Sequence, residues 1–211
     1  MPATQVNPTR MELTRLKKRQ VTAVRGHKLL KDKRDEMVRQ FILMARQNKE
    51  LREEVERELG RAMEAFLMAR AVMRGEMLQE AIMTPARSLE LRAAVRNVMS
   101  VEVPTFQLIE GEGEGLYPYG MLATSPELDA AMEALAGVLP KLVRLAEAEK
   151  SCERLATEIE KTRRRVNALE YVMIPQMAES IRTITMRLSE NERGNLTRLM
   201  KVKDMIAARD A

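Results

Sequence analysis

EIEKTRRRVNALEYVMIP, residues Glu158–Pro175, carries three consecutive arginines, Arg163, Arg164 and Arg165, within a helical pattern. Around it, Leu145, Cys152, Ile159, Val166 and Met173 recur every seven residues. That spacing keeps one edge of a helix turned toward a partner. A helix with so narrow an apolar seam is not stable alone in water, so a second long helix must lie along it.

The other half of the chain supplies one. Between Pro8 and Met83 there is no further proline, and Leu16, Ala23, Leu30, Met37, Met44 and Leu51 repeat at the same heptad interval. The companion positions Leu13, Gln20, His27, Arg34, Phe41, Asn48 and Val55 alternate between apolar and polar. Polar seam residues cost stability and set register. About 75 helical residues would span roughly 110 Å. Asn7 or Thr9 is the expected N-cap, with Glu12 closing a capping box on Thr9. Gly26, Gly60 and Gly75 are the weak points, each costing about 1 kcal/mol against Ala. The stretch 62–83 is apolar nearly all round, which predicts burial against more than one neighbour.

Composition points the same way. Aromatic residues make up 3% of the chain, Trp is absent, charged residues reach 32% and apolar residues 45%. That balance belongs to long helices and coiled coils. The 17 Met suit contacts that adapt or slide. A net charge of +5 on 36 basic and 31 acidic residues is a mixed surface rather than a nucleic-acid-binding surplus. The single Cys152 supports no disulfide framework and points to a reducing compartment. No apolar run approaches ~20 residues, so no membrane span is expected. MPATQVNPTR has no apolar signal-peptide core.

The chain therefore divides into a first long helix in 1–83, an insert in 84–125 and a second long helix in 126–211. Residues 1–6 read as a free arm. In the insert, Asn97–Val103 predicts a short strand stopped by Pro104, with Thr105–Ile109 as hairpin partner. Gly111, Gly113, Gly115, Pro118 and Gly120 predict a loop. Ser125-Pro126-Glu127 starts the second helix with a cap. Gly137 and Pro140 are expected to kink or break it, and Pro175 to bend it. The fold class is all-α, an antiparallel two-helix coiled coil with a short β-hairpin insert at one end. Helix rise alone pairs residues whose numbers sum to about 210, giving a rod with a positive tip and a small foot.

Two stretches carry a specific resemblance. NPTRMELTRLKKRQVTAVRGHKLLKDKRDEMVRQF (Asn7–Phe41) and EIEKTRRRVNALEYVMIPQM (Glu158–Met177), continued by ENERGNLTRLMKVK (Glu190–Lys203), resemble the D subunits of V/A-type rotary ATPases. The resemblance implies the central rotor shaft of a V-type ATPase or ATP synthase, coupled to H+ or Na+ transport and hydrolysing nothing itself. It implies A and B subunits of the catalytic hexamer around the tip, the F subunit on the side and the C/d subunit over the membrane ring at the foot. It also implies a cytoplasmic, peripheral place in a membrane-attached complex. No cofactor, metal, nucleic acid or direct membrane insertion is expected.

The residues expected to meet the A/B hexamer are the basic tip: Arg10, Arg15, Lys17, Lys18, Arg25, Arg193, Arg198 and Lys201. The plain alternative is a solvated coiled-coil end, since exposed charges are screened within ~8–10 Å. Arg163, Arg164 and Arg165 are candidates for contact with the F subunit or the A/B sleeve. Consecutive residues point about 100° apart on a helix, so the three cannot all face one partner. Their plain alternative is a solvated face bridged to Glu158 and Glu160. The seam comprises Leu16, Leu30, Met37, Met44, Leu51, Leu145, Cys152, Ile159, Val166 and Met173. No nucleophile–base–orienter set is visible, and the glycine-rich loop lacks the Lys-Ser/Thr of a phosphate loop. The rival to a shaft is a free-standing coiled-coil tether or scaffold, which predicts a cleaner heptad and self-association.

Overall fold

The computed structural model describes residues 7–85, 87–111, 115–120 and 124–209. The expected arm at 1–6 and Gly113 of the loop lie outside them. The elements are α1 (Arg10–Val72), α2 (Gly75–Ile82), β1 (Leu89–Val98), β2 (Val101–Glu110), α3 (Pro126–Ala168), a π turn (Leu169–Met173) and α4 (Ile174–Ala207). Long helices pack as a pair, α1 against α3, and a two-stranded antiparallel hairpin is inserted between them in sequence. The chain divides into two compact units, Met1–Asp35 with Glu160–Ala211, and Glu36–Ile159.

In the second unit, α1 and α3 run antiparallel. Arg52 pairs with Glu149, and Lys141 Nζ reaches Glu54 Oε1 at 2.7 Å and Glu58 Oε1 at 2.5 Å. The first helix stops at Val72 instead of continuing to Met83, because Arg74 adopts an extended backbone (φ −66°, ψ 138°) immediately before Gly75. The break has a packing reason. A straight helix can bury only one stripe of an all-round apolar sequence. Folding back as α2 places Leu78 and Ala81 against Ala69 and Leu128, with Phe66, Met73, Tyr119 and Met132 around them. The stop comes about ten residues early, so helix pairing tightens by about ten residues from the expected sum. Arg52 with Glu149 in this unit and Arg10 with Glu192 in the other both keep the tighter register.

The hairpin differs from the expected one in its turn. Met99 and Ser100 both take positive φ, 55° and 68°. They form the two-residue bend that matches strand twist, and Ser100 N–H is accepted by Asn97 Oδ1 at 2.9 Å. The predicted strand Asn97–Val103 is therefore bent in its middle, and both strands are longer than foreseen. Pro104 does not stop β2. It pairs with Val95 at a position where its nitrogen points away from β1, so no ladder bond is lost. The tip of the hairpin folds back along the helices. Val101 and Val103 are buried with Met37 and Leu155, and Phe41, Met44, Val98, Met99 and Ile159 pack around them.

In the first unit, Leu16, Val166 and Ile184 are buried, and His27 Nε2 lies 3.3 Å from Glu170 Oε2. Thr9 is the cap of α1: its Oγ1 accepts Glu12 N–H at 3.2 Å. At the start of α3, by contrast, the buried Ser125 hydroxyl has no hydrogen-bond partner among the described residues, so the expected side-chain cap is not made. Pro140 sits inside α3 without ending it. Pro175 follows a π turn in which Ile174 N–H reaches the Leu169 carbonyl, and it occupies the first turn of α4.

Candidate partner interfaces

The seam residues differ in burial. Leu16, Met37, Cys152 and Val166 are buried, whereas Leu30, Met44, Leu51, Leu145 and Ile159 are half-buried. Met173 is 45% exposed. The π turn explains it. One extra residue in a helical turn rotates everything beyond it by about a residue's 100°, so Ile174, not Met173, turns inward and Met177, Ile181, Ile184 and Leu188 follow. Burial pushes the Cys152 thiol pKa up, with the nearby Glu149 carboxylate adding to the effect. That keeps it a protonated, unreactive packing group.

Asn48 was visible as a polar seam position, and its Oδ1 is buried without a hydrogen-bond partner among the described residues. Lys141, which was not singled out from sequence, joins α3 to α1 through ion pairs with Glu54 and Glu58. Its ammonium is held charged by hydrogen bonds to Glu54 and Glu58, and Glu54 is correspondingly held below the usual carboxylate range by Lys141. Glutamates four residues apart on α1 project to one side. Sequence alone offered no means of matching them with a lysine on another helix.

The three arginines line the outer arc of α3. Thr162 and Val166 are buried, while Arg163, Arg164 and Arg165 are exposed and Arg164 pairs with Glu160 one turn earlier. In the first unit, the Arg10–Glu192 pair brings the start of α1 beside α4, and so beside Arg193. Arg15 lies 3.6 Å from Glu12. Lys17, Lys18 and Arg25 follow along α1, whereas Arg198 and Lys201 follow along α4, all exposed. The basic set is thus strung along two helices and is not gathered at a point.

Apolar side chains are exposed on both units among the described residues. Beyond Glu192, α4 exposes Leu196, Leu199, Met200, Val202, Met205 and Ile206, and every residue from 191 to 209 is exposed. In the other unit, the stretch expected to be buried all round shows Met63, Leu67, Met68 and Val72 of α1 and Met77, Ile82 and Met83 at α2 to solvent. Apolar patches of this kind mark contact sites. Among the described residues no group of three or more His, Cys, Asp or Glu side chains is arranged to hold a metal ion. No helix is long and apolar enough to cross a membrane.

The family model for the D subunit of ATP synthase matches residues 12–204. Proteins named as D subunits of V-type ATP synthases are similar over nearly the whole chain. That of Acetivibrio thermocellus is 59% identical over 208 residues, covering 98% of this chain and 94% of its own. That of Thermoanaerobacter sp. (strain X514) is 56% identical over 201 residues, covering 95% and 96%. The Clostridium botulinum (strain Langeland) protein is 57% identical over 204 residues, covering 95% and 94%. With helix pair, hairpin insert and these matches agreeing along its length, the chain belongs to the family of ATP synthase D subunits.

Proposed function

We propose that this chain is the central rotor shaft of a V-type ATP synthase, carrying torque between ATP turnover in the A/B hexamer and ion translocation in the membrane ring. The observation that supports this most is the bare end of α4. Leu196, Leu199, Met200, Val202 and Ile206 form an apolar stripe that the described residues leave exposed. A stripe of that kind is stabilised by a surrounding sleeve, and the A and B subunits are the sleeve we assign to it. Arg193, Arg198 and Lys201 flank the stripe, and Arg10, Arg15, Lys17, Lys18 and Arg25 lie on the neighbouring helix. Many weak, screened charge contacts let a shaft turn without being trapped at one angle.

The apolar surface of Met63, Leu67, Met68, Val72, Met77, Ile82 and Met83 is the foot that engages the C/d subunit, and different members of the exposed set Arg163, Arg164 and Arg165 face the F subunit or the A/B sleeve. The protein acts mechanically and hydrolyses nothing itself, in the peripheral, cytoplasmic part of the complex. The test is incorporation of the tagged chain into purified A/B hexamer with the F subunit, followed by ATPase assay. One copy per hexamer with a changed ATPase rate is expected. A chain that stays alone or only pairs with itself would replace the shaft with a tether.

A further inference from the structure

A two-stranded sheet has two outer edges, and this one treats them differently. Gly111 N–H donates to the Ser88 carbonyl at 2.8 Å, and Ser88 is in step with the pairing of Leu89 with Glu110 through Val98 with Val101. Even-numbered residues of β1 therefore exchange ladder bonds with β2, and odd-numbered ones direct their N–H and C=O groups outward. On β2 the outward edge is blocked at two positions. Pro104 has no N–H to present, and Phe106 N–H donates to Glu147 Oε2 at 3.0 Å.

Among the described residues, nothing closes the outward edge of β1 in this way. Leu89, Leu91, Ala93, Val95 and Asn97 aim their backbone groups away from β2, and all are exposed. No proline interrupts them. Their side chains share one face, on which Leu91 and Val95 are 54% and 69% exposed. The strand's charges, Glu90, Arg92 and Arg96, are on the other face. A ten-residue edge with unpaired backbone groups and one apolar face is a template for another strand.

We propose that the outer edge of β1 is a strand-addition site for an extended edge strand of a partner subunit's sheet. The incoming strand exchanges hydrogen bonds with Leu91, Ala93 and Val95, and the layer behind it covers Leu89, Leu91 and Val95. Arg92 is already engaged by Glu90 at 3.1 Å, so the incoming strand places a carboxylate opposite Arg96. A second copy of this chain is the poorer occupant. It would satisfy the backbone edge, but it carries the same bare face, and pairing edge to edge would leave both apolar faces in water. That the partner is another subunit of the ATPase rests on the shaft reading.

The test is amide hydrogen exchange, resolved to single residues, on the full chain alone and assembled with A, B, F and C/d subunits. At least tenfold slower exchange at Leu91, Ala93 and Val95 on assembly is expected, with Ala94 and Arg96 already protected in the free chain. Ala93→Pro removes an outward N–H and no ladder bond, as Pro104 does on β2, and is expected to weaken assembly at least tenfold. Leu91→Lys, a change at an exposed side chain, should weaken it without touching the ladder. Assembly with unchanged exchange at these three amides would overturn the strand-addition site and leave the shaft reading intact. Edge protection in the free chain accompanied by dimerisation would make a second copy the occupant and overturn the partner strand. Failure of the wild-type chain to assemble would overturn both readings.

Discussion

Phe106 N–H donates to the carboxylate of Glu147 at 3.0 Å, so a backbone group at the edge of the hairpin is satisfied by a side chain of α3. The contact ties the insert to the helix beside the apolar cluster that Val101 and Val103 form with Met37 and Leu155. A hydrogen bond to a charged acceptor is worth about 1.5–3 kcal/mol. Glu147→Ala should therefore destabilise the chain by about 1–2 kcal/mol and speed exchange of the Phe106 amide. Glu147→Gln keeps an acceptor and should recover much of the loss. Equal exchange in all three proteins would show that the bond contributes nothing.

Gly60 and Gly111 should respond to alanine in opposite directions. A Cβ on Gly60, in the middle of α1, meets nothing within 4 Å. Gly60→Ala should raise stability by up to about 1 kcal/mol in urea denaturation. A Cβ on Gly111 would sit 2.1 Å from Ser88 Oγ and 3.0 Å from the Ser88 carbonyl oxygen. The hydroxyl can rotate away but the carbonyl cannot, since it accepts the Gly111 N–H. Gly111→Ala should lower stability and loosen the base of the hairpin, seen as faster exchange at that amide.

The Lys141 cluster predicts a pH dependence. Hydrogen bonding to Lys141 lowers the pKa of Glu54 in the folded chain, so its contribution is fully present above the carboxylate's unfolded value and is lost as pH falls through the folded one. Lys141 is shifted upward by Glu54 and Glu58, so its contribution holds below the ordinary lysine value and is lost as pH rises through the folded one. Glu54→Gln should flatten the acid limb of a melting-temperature profile, and Lys141→Met should flatten both limbs. Because the groups are solvent-accessible, 1 M salt should shrink the differences. A Glu54→Gln profile parallel to wild type at every pH would remove Lys141 as the cause.

The π turn at Leu169–Met173 makes a length prediction. A π turn amounts to one residue inserted into an α-helix. Deleting the exposed Tyr171 should convert it to regular helix while Ile181, Ile184 and Leu188 keep facing α1, with helical content and stability maintained. Deleting the exposed Ala178 instead rotates the buried Ile184 out of the interface and should lower the melting temperature markedly. If the two deletions behave alike, the turn is not setting the register of α4.

Local sequence determined the helices, the seam and the existence of the hairpin. Heptad spacing carries that information directly, because a side chain's face on a helix depends only on its position along the chain. Leu16, Met37, Cys152 and Val166 as inward residues follow from it, whereas the choice of Thr9 over Asn7 as cap came from the structure. Tertiary packing decided what local spacing cannot encode. The end of α1 at Val72 follows from Leu78 and Ala81 finding Ala69 and Leu128, not from any stop signal beyond Gly75. The bend at Met99-Ser100 is a left-handed pair without glycine, held in place by burial of Val101 and Val103 against two helices. The outward turn of Met173 requires the inserted residue of the π turn. The candidate interfaces divide the same way. Basic and apolar composition were legible, but which residues stay bare depends on what the rest of the chain covers, and that is a property of the folded structure.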